Sequence, residues 1–146
     1  MRINPVSFGK IVRVEGSNVA ASKIANLANS KEKSSAARKI KAIFDDTKQG
    51  KAKVFHSMSS EDHYATYIFS GKEAKESNKI DKQLQRAVKY FNKYNADYDM
   101  ATILAQGSSE LYEEQMQKLI QKNNVSTLFA NYDSATDSIT KLYYEA

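Results

Sequence analysis

Apolar and polar positions change rhythm several times along this chain of 146 residues. Between Gly9 and Gly16 the run Lys10-Ile11-Val12-Arg13-Val14-Glu15 is β-branched and predicts a strand, with Gly9 at a bulge or bend. Ser17 is a suitable N-cap, and Val19, Ala20, Ile24, Leu27 and Ala28 follow at helical spacing. The connection Asn29 to Ser34 is polar throughout. Ala36, Ala37, Ile40, Ile43 and Phe44 then share the face of a second helix, expected to end near Gly50.

Two runs rich in β-formers come next, Lys53 to Met58 and Tyr64 to Phe69, around the polar stretch Ser59-Ser60-Glu61-Asp62-His63. They predict a hairpin, with the first strand completing a three-stranded sheet. Ser70-Gly71-Lys72-Glu73 has the form of a capping box, so a helix is expected directly after the hairpin. Ile80, Leu84, Ala87, Val88 and Phe91 mark its buried face. A shorter helix carrying Met100, Ile103 and Leu104 is expected to stop at Gly107. Another carries Tyr112, Met116, Leu119 and Ile120, with acids early and lysines late, as the helix dipole favours. Val125, Leu128, Phe129, Tyr132, Thr136, Ile139, Leu142 and Tyr143 keep helical spacing to the end, so the expectation is a last helix capped by Asn124. The predicted fold is α+β, one domain over residues 1–146. It has a small three-stranded antiparallel sheet with two N-terminal helices, then a mostly helical C-terminal half packed on it.

Composition narrows the class. Five glycines and one proline are too few for a turn-dense all-β protein, and the absence of cysteine excludes disulfides, thiol nucleophiles and cysteine-based metal sites. No run approaches the roughly 18 apolar residues of a membrane span, and the first ten residues lack the apolar core of a secretory signal. A cytoplasmic protein that does not engage a membrane is expected. Short length and lysine-, asparagine- and serine-rich composition are typical of bacterial or phage accessory proteins.

Charge adds more. The net +5 divides into +10 over residues 1–95 and −5 over residues 96–146. Lys75, Lys79, Lys82, Arg86, Lys89 and Lys93 are spaced 4, 3, 4, 3 and 4 apart. On a helix they fall within roughly 80° of arc, on a line about 27 Å long and roughly 160° from the apolar stripe. No acid shares the stripe, and neighbouring like charges repel by a few tenths of a kcal/mol per pair. The stripe reads either as a solvated outer face or as a rail for a phosphate backbone or an acidic protein face. Lys31, Lys33, Arg38, Lys39 and Lys41 form a second basic cluster. Neither cluster comes with a helix-turn-helix, zinc finger or RNA-recognition motif, and lysine-rich contact favours phosphates over bases.

Catalytic signals are weaker. His56 and His63, with Glu61 and Asp62, would surround a hairpin loop, but their spacing is not a recurring ligand pattern. Glu73-Ala74-Lys75, with Asp45 and Asp46 upstream, has the E-x-K form of metal-dependent nucleases, but a capping box puts it on a helix rather than a strand. Ser70, Gly71 and Lys72 form a strand-to-helix turn able to hold an anion on free N–H groups. Tyr90, Tyr94 and Tyr98, with Tyr143 and Tyr144, suit either a core edge or a protein interface. No cofactor and no metal are expected. The leading expectation is a small non-enzymatic protein docking through Lys75 to Lys93 on a partner protein with an acidic face or on a nucleic-acid-containing complex. Sequence-nonspecific binding of nucleic acid is the first alternative. The second is a small hydrolase or transferase using His56 and His63.

Overall fold

The computed structural model describes residues 10–44, 51–57, 65–93 and 98–145, with the backbone alone at 87, 88, 90–93 and 98–109. Its strands are β1 (Lys10–Glu15), β2 (Lys53–His56), β3 (Thr66–Ser70), β4 (Val125–Asp133) and β5 (Ser138–Glu145). The helices among the described residues are α1 (Asn18–Asn29), α2 (Ser35–Ile43), α3 (Gly71–Lys93) and α4 (Tyr98–Gln121). The strands form one mixed sheet in the order β2-β3-β1-β4-β5. Only the β1–β4 pair is parallel.

Alternation along the strands builds two cores, because successive side chains point to opposite faces. Val12, Val14, Ile68, Leu128, Ala130 and Ile139 pack with α1 and α2. Ala20, Ala21, Ala25 and Ala28 are buried on α1, where small side chains let the helix lie close to the sheet. Ile11, Phe55, Tyr67 and Phe69 point the other way, against Ala74 of α3 and Met116, Leu119 and Ile120 of α4. Ser17 and Ser34 cap α1 and α2, accepting from the backbone N–H groups of Ala20 and Ala37 at 3.1 and 3.2 Å.

The three-stranded antiparallel expectation is corrected to a five-stranded mixed sheet. β2, β3 and β1 pair antiparallel, but β4 and β5 extend the sheet where a last helix was expected. Local chemistry explains the change. Val125-Ser126-Thr127-Leu128-Phe129 and Ile139-Thr140-Lys141-Leu142-Tyr143-Tyr144 are rich in β-branched and aromatic residues. Asp133 between them accepts from the Ala135 N–H at 3.0 Å and from the Thr136 hydroxyl at 3.0 Å, an Asx turn that competes with helix. Asn124 therefore precedes a strand. A second correction concerns Gly107, through which the α4 backbone runs unbroken. An interior glycine costs about 1 kcal/mol in a helix, less than burial of Met116, Leu119 and Ile120 returns. The expected end of α2 near Gly50 lies outside the described residues; α2 closes at Ile43 with Phe44 as its C-cap.

The β4–β5 turn is tied to α1. The Tyr132 hydroxyl donates to Asp137 Oδ1 at 2.5 Å, and Lys23 Nζ donates to Oδ2 at 3.2 Å. These two donors hold the Asp137 carboxyl below the ordinary carboxylate range. A depressed folded-state value means that the tether's contribution is present above the unfolded value and lost as pH falls through the folded one. Wild type is therefore expected to lose more stability than Asp137→Asn between about pH 5 and pH 2 in urea unfolding. Parallel losses in the two proteins would show that the tether adds nothing.

A basic helix face as the candidate binding surface

α3 begins where β3 ends, and its sequence sets its orientation. Ala74 and Ser77 are fully buried, Ile80 packs on the core, and the opposite face is left to solvent. Lys75, Lys79, Lys82, Arg86 and Lys89 are all exposed along that outer face. From Lys75 to Lys89 the line is about 21 Å long at 1.5 Å per residue. Lys72, also exposed, continues it toward the start of the helix. Lys93 is in the final turn of α3, and its side chain lies outside the described residues.

The flanking acids are engaged elsewhere. Glu76 accepts from Lys122, just past the end of α4, at 3.2 Å. Asp81 pairs with Lys53 of the edge strand β2, whose ammonium is held below the ordinary lysine value by burial. Both acids thus bind α3 to its neighbours and leave the rail's charge uncompensated. Among the described residues none of Lys75, Lys79, Lys82, Arg86 and Lys89 forms an ion pair. Asn78, Gln83 and Gln85 between them are also exposed, so the described outer face is polar throughout.

The remaining sequence candidates are scattered. Ser70 and Gly71 are buried, Gly71 with φ 56°, and the Ser70 hydroxyl reaches the Lys10 carbonyl at 3.5 Å. Glu73 is 6% exposed in the same first turn, and its Oε2 has no hydrogen-bond partner among the described residues. One buried carboxylate oxygen left without a partner costs about 1–3 kcal/mol, offset by up to about 1 kcal/mol from the helix dipole. Glu73→Gln is therefore expected to raise unfolding stability by about 1 kcal/mol at pH 7. A loss of that size would mean that the carboxylate holds a stabilising contact. Lys75 is exposed while Glu73 is buried, so the E-x-K residues do not converge.

His56 is on the α1 side of the sheet, its Nδ1 3.1 Å from the Thr66 hydroxyl, which donates to Asn18 Oδ1 at 3.1 Å. That chain links β2 and β3 to the start of α1. His63, Glu61 and Asp62 lie outside the described residues, as do Asp45 and Asp46. Among the described residues no three metal-binding side chains cluster. No helix among them is long and apolar enough to cross a membrane. Tyr143 is exposed and packs on Phe129 with ring centroids 5.9 Å apart, whereas Tyr144 donates to the Ser126 hydroxyl at 3.0 Å. The side chains of Tyr90, Tyr94 and Tyr98 lie outside the described residues.

The second basic cluster stands on the opposite layer from α3. Lys31, Arg38 and Lys41 line an open groove at the α1–α2 corner, joined by Lys51, whereas Lys33 and Lys39 do not line it. Sequence reading missed Lys51 because it enters through a distant contact. The Asn29 side chain donates to the Ala52 carbonyl at 2.9 Å and accepts its N–H at 2.8 Å, fastening the approach to β2 onto the end of α1. Compared with protein-family models, with curated proteins and with solved structures, the chain matches none of them.

Proposed function

We propose that this is a small cytoplasmic binding protein, without enzymatic chemistry of its own, that docks on an anionic macromolecular surface along the outer face of α3. The observation that carries this reading is the row of five exposed cations whose neighbouring acids are already paired with Lys122 and Lys53. A helix decorated only for solubility mixes its signs. This one keeps like charges at i, i+4 despite their repulsion.

A specific feature favours phosphate within that reading. Protein interfaces are anchored by apolar or aromatic side chains near their centre, whereas a phosphate backbone needs none. The described outer face of α3 offers lysine, arginine, asparagine and glutamine. The partner is accordingly a nucleic acid, or a protein–nucleic-acid complex whose phosphates the rail meets, and contact is independent of base sequence. Titration into labelled duplex DNA, single-stranded RNA and polyglutamate at about 50 mM salt tests this. Binding of the two phosphate polymers at micromolar concentration, with polyglutamate weaker, is expected. Equal binding of polyglutamate would turn the reading toward an acidic protein, and binding to none would overturn it.

A further inference from the structure

The groove at the α1–α2 corner carries a separate inference. It is an open cleft of about 810 Å³, lined by Lys31, Arg38, Lys41 and Lys51 over a floor that includes Ala28 and Phe44. Four cationic side chains from three segments converge there, and no acidic side chain is among the described lining residues. Glu32, next to Lys31 in the chain, has its carboxylate bound by the Ser34 hydroxyl at 2.8 Å. Lys41 Nζ donates to the Glu32 backbone carbonyl at 2.5 Å, a contact that orients the ammonium without neutralising it. Among the described residues Lys31, Arg38 and Lys51 form no ion pair.

Hydrogen bonds brace two stretches of the cleft's wall. Asn29 holds the backbone of Ala52 through two hydrogen bonds, next to Lys51, which lines the groove together with Arg38 and Lys41. Ser30 braces the turn between the helices, donating to the Leu27 carbonyl at 2.9 Å and accepting the Glu32 N–H at 3.2 Å. Gathering four like charges costs free energy that an anion of matching charge returns. Among the described lining residues these four cations meet no acid, and a single phosphate can pair with only some of them, whereas two adjacent phosphates can span all four. A guanidinium beside ammonium groups suits that ligand, one giving paired bonds and the others point charge.

We propose that this groove binds a ligand presenting at least two adjacent phosphate groups, held by Lys31, Arg38, Lys41 and Lys51. The chemistry is shared by small polyphosphates and by a single nucleic-acid strand, and the experiment separates them. Wild type, Arg38→Gln/Lys51→Gln and Lys79→Glu/Lys82→Glu/Arg86→Glu are titrated with tripolyphosphate and with a single-stranded oligonucleotide, against sodium chloride at matched ionic strength. Tripolyphosphate binding that weakens about tenfold or more in the groove variant, and is kept by the α3 variant, is expected. Oligonucleotide binding with that same pattern, and no tripolyphosphate binding, would identify a strand as the source of the phosphates. Amide NMR shifts on wild type give an independent reading, with perturbation expected at residues 28–31, 38–44 and 51–52. Binding of neither probe beyond the chloride control would overturn the proposal. So would equal binding by wild type and groove variant, or shifts confined to α3.

Discussion

Replacing Gly16 with alanine is expected to cost about 3 kcal/mol, and to lower the melting temperature by about 10 °C. Gly16 stands between the end of β1 and the cap of α1, where the chain turns out of the sheet. A Cβ built there would meet the Ala130 carbonyl oxygen at 2.4 Å, well inside contact distance. The obstacle is backbone, not a flexible side chain. Ala130 belongs to β4, which is hydrogen-bonded to β1 on one side and β5 on the other. Relief therefore requires either displacing a strand held on both sides or swinging α1 off its alanine face. Urea unfolding and thermal melts measure the loss. A change under about 0.5 kcal/mol would mean that the β1–β4 pairing is not as described.

That parallel pairing is also where the sequence was hardest to read. The early elements announce themselves locally: Ser17 and Ser34 cap their helices, and the β-branched run of β1 lies between two glycines. The end of the chain misleads for a geometric reason. Leu128 and Tyr132 are four apart, a spacing that both a helix and a strand put on one side. Ile139 and Leu142 are three apart, which alone suggests a helix. In the structure both pack with the α1 side of the sheet because a bulge intervenes, with Lys141 at φ 51° absorbing the extra residue. A bulge carrying lysine on an outer strand also discourages edge-to-edge pairing. The turn chemistry of Asp133-Ser134-Ala135-Thr136-Asp137 was the countersignal, and it outweighs the period.

The candidate surface divides in the same way. The rail was legible because a helix turns a 4, 3, 4, 3 spacing into a line without help from tertiary structure. What the sequence does not carry is the fate of the flanking acids. Glu76 meets Lys122 forty-six residues away, and Asp81 meets Lys53 from an edge strand. The groove needed still more, because Lys51 joins Arg38 only through the Asn29–Ala52 contact.

Reversing three charges on α3, with Lys79→Glu, Lys82→Glu and Arg86→Glu together, is expected to weaken polyanion binding by a hundredfold or more. Each phosphate contact is worth roughly 1 kcal/mol near physiological salt, and reversal adds repulsion to the loss. Three contacts give about 3 kcal/mol, or a factor of about 150. The fold is expected to tolerate the change, since all three side chains are exposed and unpaired among the described residues. Stability should stay within about 0.5 kcal/mol of wild type. Lys141→Glu on β5 reverses one charge on another part of the surface and serves as the control. A loss from Lys141→Glu as large, per charge reversed, as that from the triple variant would reduce the effect to net charge alone.

The most direct measurement is the salt dependence of duplex binding for wild type and for a neutral variant, Lys79→Gln/Lys82→Gln/Arg86→Gln. With about five phosphate contacts along α3, the logarithm of the association constant falls against the logarithm of salt with a slope near −4.5. Removing three contacts without introducing repulsion brings the slope to about −2. That pair of slopes is the predicted result. Equal slopes for the two proteins, or a wild-type slope near zero, would contradict the assignment of α3 as the docking face.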